Sequence, residues 1–177
     1  MNPVTIRRVR ATDGAAFREL RLRSLAADPA AFGSTLAREA TYEDSGWLDR
    51  VRSAATSTAD AIWVAELERG PWVGMIGAFT KEGHVHVYGM WVAPEQRGSG
   101  IGGRLLDTLL TWAAVVQPSR DVFLSVNPTQ EAAAALYRSR GFRATGAVEP
   151  LPHTPGAVVH EMRRVEERRP VSDRGAG

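Results

Sequence analysis

Polar and apolar residues alternate from Val4 to Val9, which predicts a first strand over 4–9. From Thr12 or Asp13 the period lengthens. Phe17, Leu20 and Leu25 recur at near-helical spacing and predict a helix that Asp28-Pro29 stops. Residues 30–45 are less regular, with a turn at Phe32-Gly33-Ser34, and a second helix is expected from Asp44 or Ser45 through Trp47, Leu48 and Val51. From Ala61 the pattern becomes that of strands, over 61–67, 72–80 and 84–92, separated by Arg69-Gly70-Pro71 and Lys81-Glu82-Gly83. Turns that short predict an antiparallel meander. Gly98 to Gly103 then opens a helix that places Leu105, Leu106, Leu109, Leu110 and Ala113 on one face and ends by Pro118. A short strand over 121–126 and a helix over 131–140 follow, the helix stopped by Gly141. Residues 142–148 and 157–164 read as a closing hairpin across a linker with three prolines. The expected organisation is one domain over 1–165, with a polar, disordered tail over 166–177.

Composition narrows the classes. With no cysteine in 177 residues, a disulfide framework, a thiolate metal site and a cysteine nucleophile are excluded. No run of about 18 apolar residues is present, and the first ten residues lack the apolar segment of a signal peptide, so a soluble cytoplasmic protein without membrane contact is expected. The formal charge is +2, and Lys81 is the single lysine. Arginine stays charged to about pH 12 or above, so the high sequence pI reflects a small excess that never titrates. No basic block or stripe accompanies it, and no nucleic-acid partner is expected.

The most informative segment is Val92-Ala93-Pro94-Glu95-Gln96-Arg97-Gly98-Ser99-Gly100-Ile101-Gly102-Gly103. Glycines let a backbone turn tightly and approach a ligand, and successive N–H groups in such a loop form an anion-binding nest. The helix that follows puts its positive end at the same place, and Arg97 adds a formal charge. The expected guest is a phosphate or pyrophosphate. Gly98 to Gly103 also satisfies GxGxxG, the dinucleotide fingerprint of an oxidoreductase, but that motif directly follows a strand in a βαβ unit and has an acidic residue at the end of the next strand. Here Pro94 to Arg97 intervene, a meander precedes, and the candidate acid, Asp121, stands before the next strand. A connector with no ligand is the plain alternative.

Arg97-Gly98-Ser99-Gly100-Ile101-Gly102 resembles the coenzyme A pyrophosphate loop, (Q/R)xxGx(G/A), of the GNAT superfamily of N-acetyltransferases. Ala133-Ala134-Ala135-Leu136-Tyr137-Arg138-Ser139-Arg140-Gly141-Phe142 resembles the second motif of that family, AxxLYxxxGF. The two stand in the family's order and separation, and the order of strands and helices matches from Thr5 to Arg164. The resemblance implies an α/β fold of α+β type. It has a mixed, largely antiparallel sheet of six or seven strands, helices on both faces, and a V-shaped splay between the fourth and fifth strands. It also implies acetyl-CoA as acyl donor, no metal, and direct transfer of acetyl to a primary amine.

Residue by residue, the resemblance implies that Met90, Trp91 and Val92 line the pantetheine arm, with a backbone N–H there as oxyanion donor. Arg97, Gly98, Ser99, Gly100, Ile101, Gly102 and Gly103 would hold the pyrophosphate. Gly89 would permit a bulge that splays the strand. Where the family often has Asn this chain has Gln130, whose longer amide is the expected contact; Asn127 lies three residues early. Tyr137 is the candidate general acid, a phenol that keeps its proton at neutral pH. His86 stands where the family often has a glutamate and is the candidate base, with Glu82 and His84 as alternates. Strict alternation would put His84, His86, Tyr88, Met90 and Val92 on one face. Phe32, Ser34, Glu39, Trp47 and His153 are candidates for the acceptor pocket, and Arg104, Arg138 or Arg140 for the cofactor's remaining phosphate. Exposed sheet edges leave room for a homodimer. The alternative function is a non-catalytic acyl-CoA-binding sensor.

Overall fold

A computed structural model describes residues 3–68, 70–116, 121–151 and 153–164. Seven strands form one mixed sheet: β1 Val4–Arg8, β2 Asp60–Leu67, β3 Trp72–Lys81, β4 His84–Val92, β5 Val122–Val126, β6 Arg143–Pro150 and β7 Val158–Arg164. Their order across the sheet is β1-β2-β3-β4-β5-β7-β6. All neighbours are antiparallel except β4 and β5. The helices are α1 Gly14–Ala27, a short α2 Leu36–Glu39, α3 Asp44–Thr56, α4 Ile101–Val116 and α5 Glu131–Ser139. Pro118 and the tail over 166–177 fall outside the described residues.

The expected elements are present with small shifts. The irregular stretch after α1 holds a 3₁₀ turn over Pro29–Ala31 and the short α2, whose N-terminus Thr35 caps by accepting a hydrogen bond from the Arg38 N–H. No hydrophobic period marks so short a helix. Asp13 precedes α1, yet its carboxylate accepts from the Arg10 N–H and from Arg7, both at 2.7 Å, and does not cap the helix. Strand β6 runs into the proline-rich linker as far as Pro150, which sits on the outer edge where a missing N–H is tolerated.

Two packed layers flank the sheet. On one face α1 and α3 close over a core with Phe17, Leu20, Trp47 and Val51 nearly inaccessible to solvent. On the other face α4 buries Leu105, Leu106 and Leu109. Helix α5 lies beside α4, tied by the Arg140–Asp107 ion pair at 3.0 Å.

Strands β4 and β5 pair only at Val85 with Val122 and at His86 with Phe123. Beyond that point they diverge, giving the expected V. The divergence coincides with a bulge in β4. Met75 opposes Trp91 and Gly77 opposes Tyr88, so three steps along β4 answer two along β3. Gly89 lies in the bulge at φ +63, a conformation that a side chain resists. The bulge also overturns the expected alternation. Tyr88 lies beneath the Arg50 guanidinium of α3, and Trp91 donates to Asp28 after α1. Met90 and Val92 instead face Gly102 of α4, where a Cβ would lie 3.3 and 3.7 Å from their side-chain carbons. One extra residue has therefore put Met90 and Val92 on the opposite face from His84, His86 and Tyr88.

Candidate active site

Two cavities meet at the bulge. The first, about 520 Å³, lies between the end of β4, the loop before α4, and α5. Met90, Trp91, Val92, Arg97, Gly98, Gly100, Ile101, Gly102, Gly103, Gln130 and Tyr137, the residues proposed from the sequence to hold a cofactor, all line it. Ser99 does not; its hydroxyl turns inward and donates to the Gln96 carbonyl at 2.5 Å, shaping the loop. Gly98 and Gly100 take φ +76 and +82, and a Cβ at either would touch nothing within 4 Å, so conformation and not space requires glycine there. Among the described residues no acceptor meets the N–H groups of residues 98 through 103, while the Arg104 N–H, next in line, bonds to the Gly100 carbonyl. These six unpartnered donors at a helix N-terminus fit a polyanion.

Arg97 lines the cavity and is also tied into the fold. Its guanidinium donates to Asp28 at 2.5 Å and to the Val92 carbonyl at 3.0 Å, and the same Asp28 carboxylate accepts from the Trp91 indole at 2.7 Å. The charge of Arg97 is thus matched by Asp28, and the arginine braces the loop against β4. Nor do the flanking arginines converge on the loop. Arg104 donates to the Val4 carbonyl at 2.9 Å, Arg140 is held by Asp107, and Arg138 is exposed. The donors left without partners in this loop are backbone N–H groups.

Tyr137 comes from the buried face of α5 and packs edge-on against Phe142 at 6.0 Å. Its hydroxyl donates to the Met90 thioether sulfur at 3.3 Å. Burial pushes the phenol up to about 12. The group therefore stays protonated at neutral pH and, in the cavity wall, donates to a divalent sulfur.

The second cavity, about 530 Å³, lies on the other side of the bulge, between α1, α2, β4 and β5. His86 lines it, stacked between Phe79 and Phe123 with ring centroids 5.3 and 5.4 Å away. Burial between these rings lowers its pKa, the Lys81 and His84 charges lower it further, and Glu161 and Glu82 pull weakly upward. The imidazole is neutral at pH 7. Of the alternates, Glu82 sits in the exposed β3–β4 turn at φ +52, and His84 meets Phe123 edge-on; neither lines either of these two cavities.

Phe32, Ser34 and Glu39 line this second cavity as expected, but Trp47 and His153 do not. Trp47 is 1% exposed and belongs to the core, against Phe17 and Tyr42. His153 is exposed in the β6–β7 linker, from which Leu151 reaches the cavity instead. Glu39 is neither a free amine partner nor a surface charge. It is 3% exposed and takes a bidentate pair from Arg21 at 2.9 and 2.7 Å. Burial pushes its carboxyl up, but Arg21, with help from Ser34 and Arg50, outweighs that and holds it below the ordinary value.

Several contributors escaped the sequence reading, Arg50 and Glu161 of the second cavity among them. Asp28 and Ala30 bridge the open end of the V: Asp28 reaches Trp91, and the Ala30 carbonyl accepts from the buried Asn127 amide at 3.3 Å beyond β5. Asn127 is therefore occupied, and Gln130, which caps nothing with its side chain, is the amide left facing the first cavity. Arg21 left a signal, because it falls on the buried stripe of α1 with Phe17, Leu20, Ser24 and Leu25. An arginine on a core stripe implies a buried partner.

An antiparallel meander feeding a splayed strand, then a glycine nest opening a helix, is not the βαβ context of a dinucleotide site. A model of the acetyltransferase (GNAT) family matches residues 18–142. The chain belongs to that family. Human N-acetyltransferase 8 is 34% identical over 104 residues, covering 55% of this chain and 45% of that protein. The chain thus spans about half the length of the curated relatives it matches. Among solved structures, the fold resembles an acetyltransferase of the GNAT family from Streptococcus pneumoniae, with a TM-score of 0.77, 20% identity, and coverage of 93% of this chain and 100% of that one. It also resembles the PaiA N-acetyltransferase from Thermoplasma acidophilum in complex with coenzyme A, with a TM-score of 0.71, 14% identity, and coverage of 93% and 99%. No described helix is long and apolar enough to cross a membrane, and no described group of three or more His, Asp or Glu side chains could hold a metal ion.

Proposed function

We propose that the protein is an acetyl-CoA-dependent N-acetyltransferase that moves acetyl directly to a primary amine. The observation that carries this reading is the convergence of the two cavities on the β4 bulge. One is lined by unpartnered N–H groups and a buried phenol, the other by a neutral imidazole. Membership of the acetyltransferase family supports it. Acetyl-CoA supplies an activated acetyl thioester.

The residues of this chain divide the work. The N–H groups of residues 98 through 103 bind the pyrophosphate, and Gln130 offers an amide to the pantetheine arm. The backbone at Met90 to Val92, freed from β5 by the splay, faces the thioester and stabilises charge on its oxygen. His86 takes a proton from the acceptor amine, directly or through a water. The amine nitrogen bonds to the acetyl carbon as the carbon–sulfur bond breaks, and Tyr137 gives the departing sulfur a proton and is reloaded from solvent. The products are an N-acetylated amine and free coenzyme A. Fixing both partners at one bulge contributes several kcal/mol through orientation alone.

Release of free thiol from acetyl-CoA, screened over diverse amines with mass spectrometry of the products, tests the reading. Turnover with at least one amine is expected. Failure of acetyl-CoA to bind by calorimetry at high micromolar concentration would sink it. Binding with no turnover of any amine would leave an acyl-CoA sensor.

A further inference from the structure

The charge of the second cavity singles out a kind of acceptor. Arg21, Arg38 and Arg50 line it, against two carboxylates, Glu39 and Glu161. Glu39 is consumed by Arg21 through Nε and Nη2. Glu161 lies across the cavity on β7 and accepts from the Thr145 hydroxyl at 2.9 Å. Arg38 and Arg50 have no carboxylate within 4.0 Å among the described residues. Arg50 is steered over the rings of Phe17 and Tyr88, at 5.4 and 5.7 Å.

The remaining nitrogen of Arg21, Nη1, has no acceptor among the described residues, although the residue is only 7% exposed. It is the nearest atom to where a Cβ on Gly89 would stand, at 3.9 Å. A buried guanidinium, locked in orientation by a bidentate carboxylate, thus aims a free N–H edge at the bulge where the two cavities meet. Such an edge recognises a carboxylate.

We infer that the acceptor is an amine carrying a carboxylate on the same carbon, an α-amino acid or a derivative that keeps its free acid, with an apolar side chain. The inference rests on the acetyltransferase reading and names the substrate of that site. The carboxylate lies between Arg21 Nη1 and Arg50, which leaves the amine, one carbon away, beside the bulge. Phe32, Phe79 and Phe123 form apolar walls for the side chain. A polyamine is disfavoured, since its cationic tail would meet three arginines and a single carboxylate not already paired to one.

The test uses the intact protein with saturating acetyl-CoA and compares L-phenylalanine, L-phenylalaninamide and spermidine by thiol release, with rates expressed per neutral amine. The acid should exceed the amide in kcat/KM by about tenfold or more, the worth of one charge-assisted hydrogen bond. Arg50→Gln should bring the acid-to-amide ratio toward one. Arg38→Gln, on the exposed rim, should lower that ratio less and carries little risk to folding. Equal or better use of the amide or of spermidine overturns the inference, as does a ratio unmoved by both variants. Acetyl-CoA binding with no turnover of any of the twenty common amino acids overturns it too. Absence of acetyl-CoA binding by calorimetry instead removes the acetyltransferase reading beneath it.

Discussion

The two cavities present their polar groups by opposite means. On the α4 side the donors are main-chain N–H groups from one unbroken segment, and the one arginine in the loop is matched by Asp28. On the α1 side the polar groups are side chains: Arg21 from α1, Glu39 from α2, Arg50 from α3, His86 from β4 and Glu161 from β7. A backbone site needs only local conformation, and glycines write that conformation into the sequence. A side-chain site needs a fold to bring distant residues together and leaves no local motif. The first arrangement suits an invariant polyanion; the second can be retuned one residue at a time.

The largest expected effect falls on the side-chain half. Arg21 and Glu39 are both buried, and removing one partner leaves an unpaired buried charge, so Glu39→Ala should destabilise by about 3–5 kcal/mol. Denaturant unfolding measures it. The double change Arg21→Met with Glu39→Leu should recover most of that loss, because an apolar pair of similar volume needs no desolvation of charge. A single variant as stable as the parent would mean that the pair is not desolvated and that the cavity is not built around it.

Next comes the chemical step on the other half. Tyr137→Phe removes the hydroxyl that faces Met90 sulfur and leaves the ring against Phe142. The turnover number should fall on the order of a hundredfold, within the range of general acid catalysis, with the acetyl-CoA dissociation constant little changed. Steady-state kinetics beside calorimetry separates the two. A fall confined to affinity would make the phenol a wall of the cavity.

The same contrast explains what could be read before the fold was known. Gly98 through Gly103 and the Leu136-Tyr137 motif each lie within one stretch of chain, so the loop and both helices were legible from local pattern, and the residues lining the first cavity from the family resemblance that those motifs carry. The bulge was half legible. Gly89 marked its place, but the inserted residue that turned Met90 and Val92 to the other face is a property of pairing with β3. The engagement of Arg97 by Asp28 was not legible, since 69 positions separate them and only tertiary packing brings them to 2.5 Å. Glu39 was a pocket candidate, but its burial against Arg21 was not legible, because α2 is too short to show a period. Its partner Arg21 stood on a core stripe, a trace of the buried pair that the sequence did carry.

A smaller effect tests whether the backbone half depends on conformation. Gly100→Ala adds a methyl group that meets nothing, yet it asks an L-residue to hold φ +82. That costs about 1–2 kcal/mol, so acetyl-CoA affinity should weaken about tenfold. Gly102→Ala differs in kind: φ is ordinary and the new carbon presses on Met90 Cε at 3.3 Å and Leu136 Cδ2 at 3.4 Å, both ends of flexible side chains. A greater loss of affinity at Gly102 than at Gly100 would show that helix packing, and not the nest, sets binding.

The smallest effect is electrostatic and lies on the histidine. Burial between Phe79 and Phe123, then the charges of Lys81 and His84, lower the His86 pKa, so less of it is protonated than for a free imidazole at any given pH. If the neutral ring is the base, kcat/KM rises with pH through that lowered value, and the acidic limb lies below the ordinary histidine value of about 6.5. An acceptor of low amine pKa keeps the substrate's own ionisation from masking the limb. No basic limb from Tyr137 intrudes, because its phenol titrates near 12. Lys81→Ala removes one of the charges that depress His86, so it should move the limb upward, and added salt should shrink the shift because Lys81 is well exposed. His86→Ala should abolish the limb altogether. A limb that survives in His86→Ala, or one that ignores Lys81, would assign the proton transfer to water or to the amine itself.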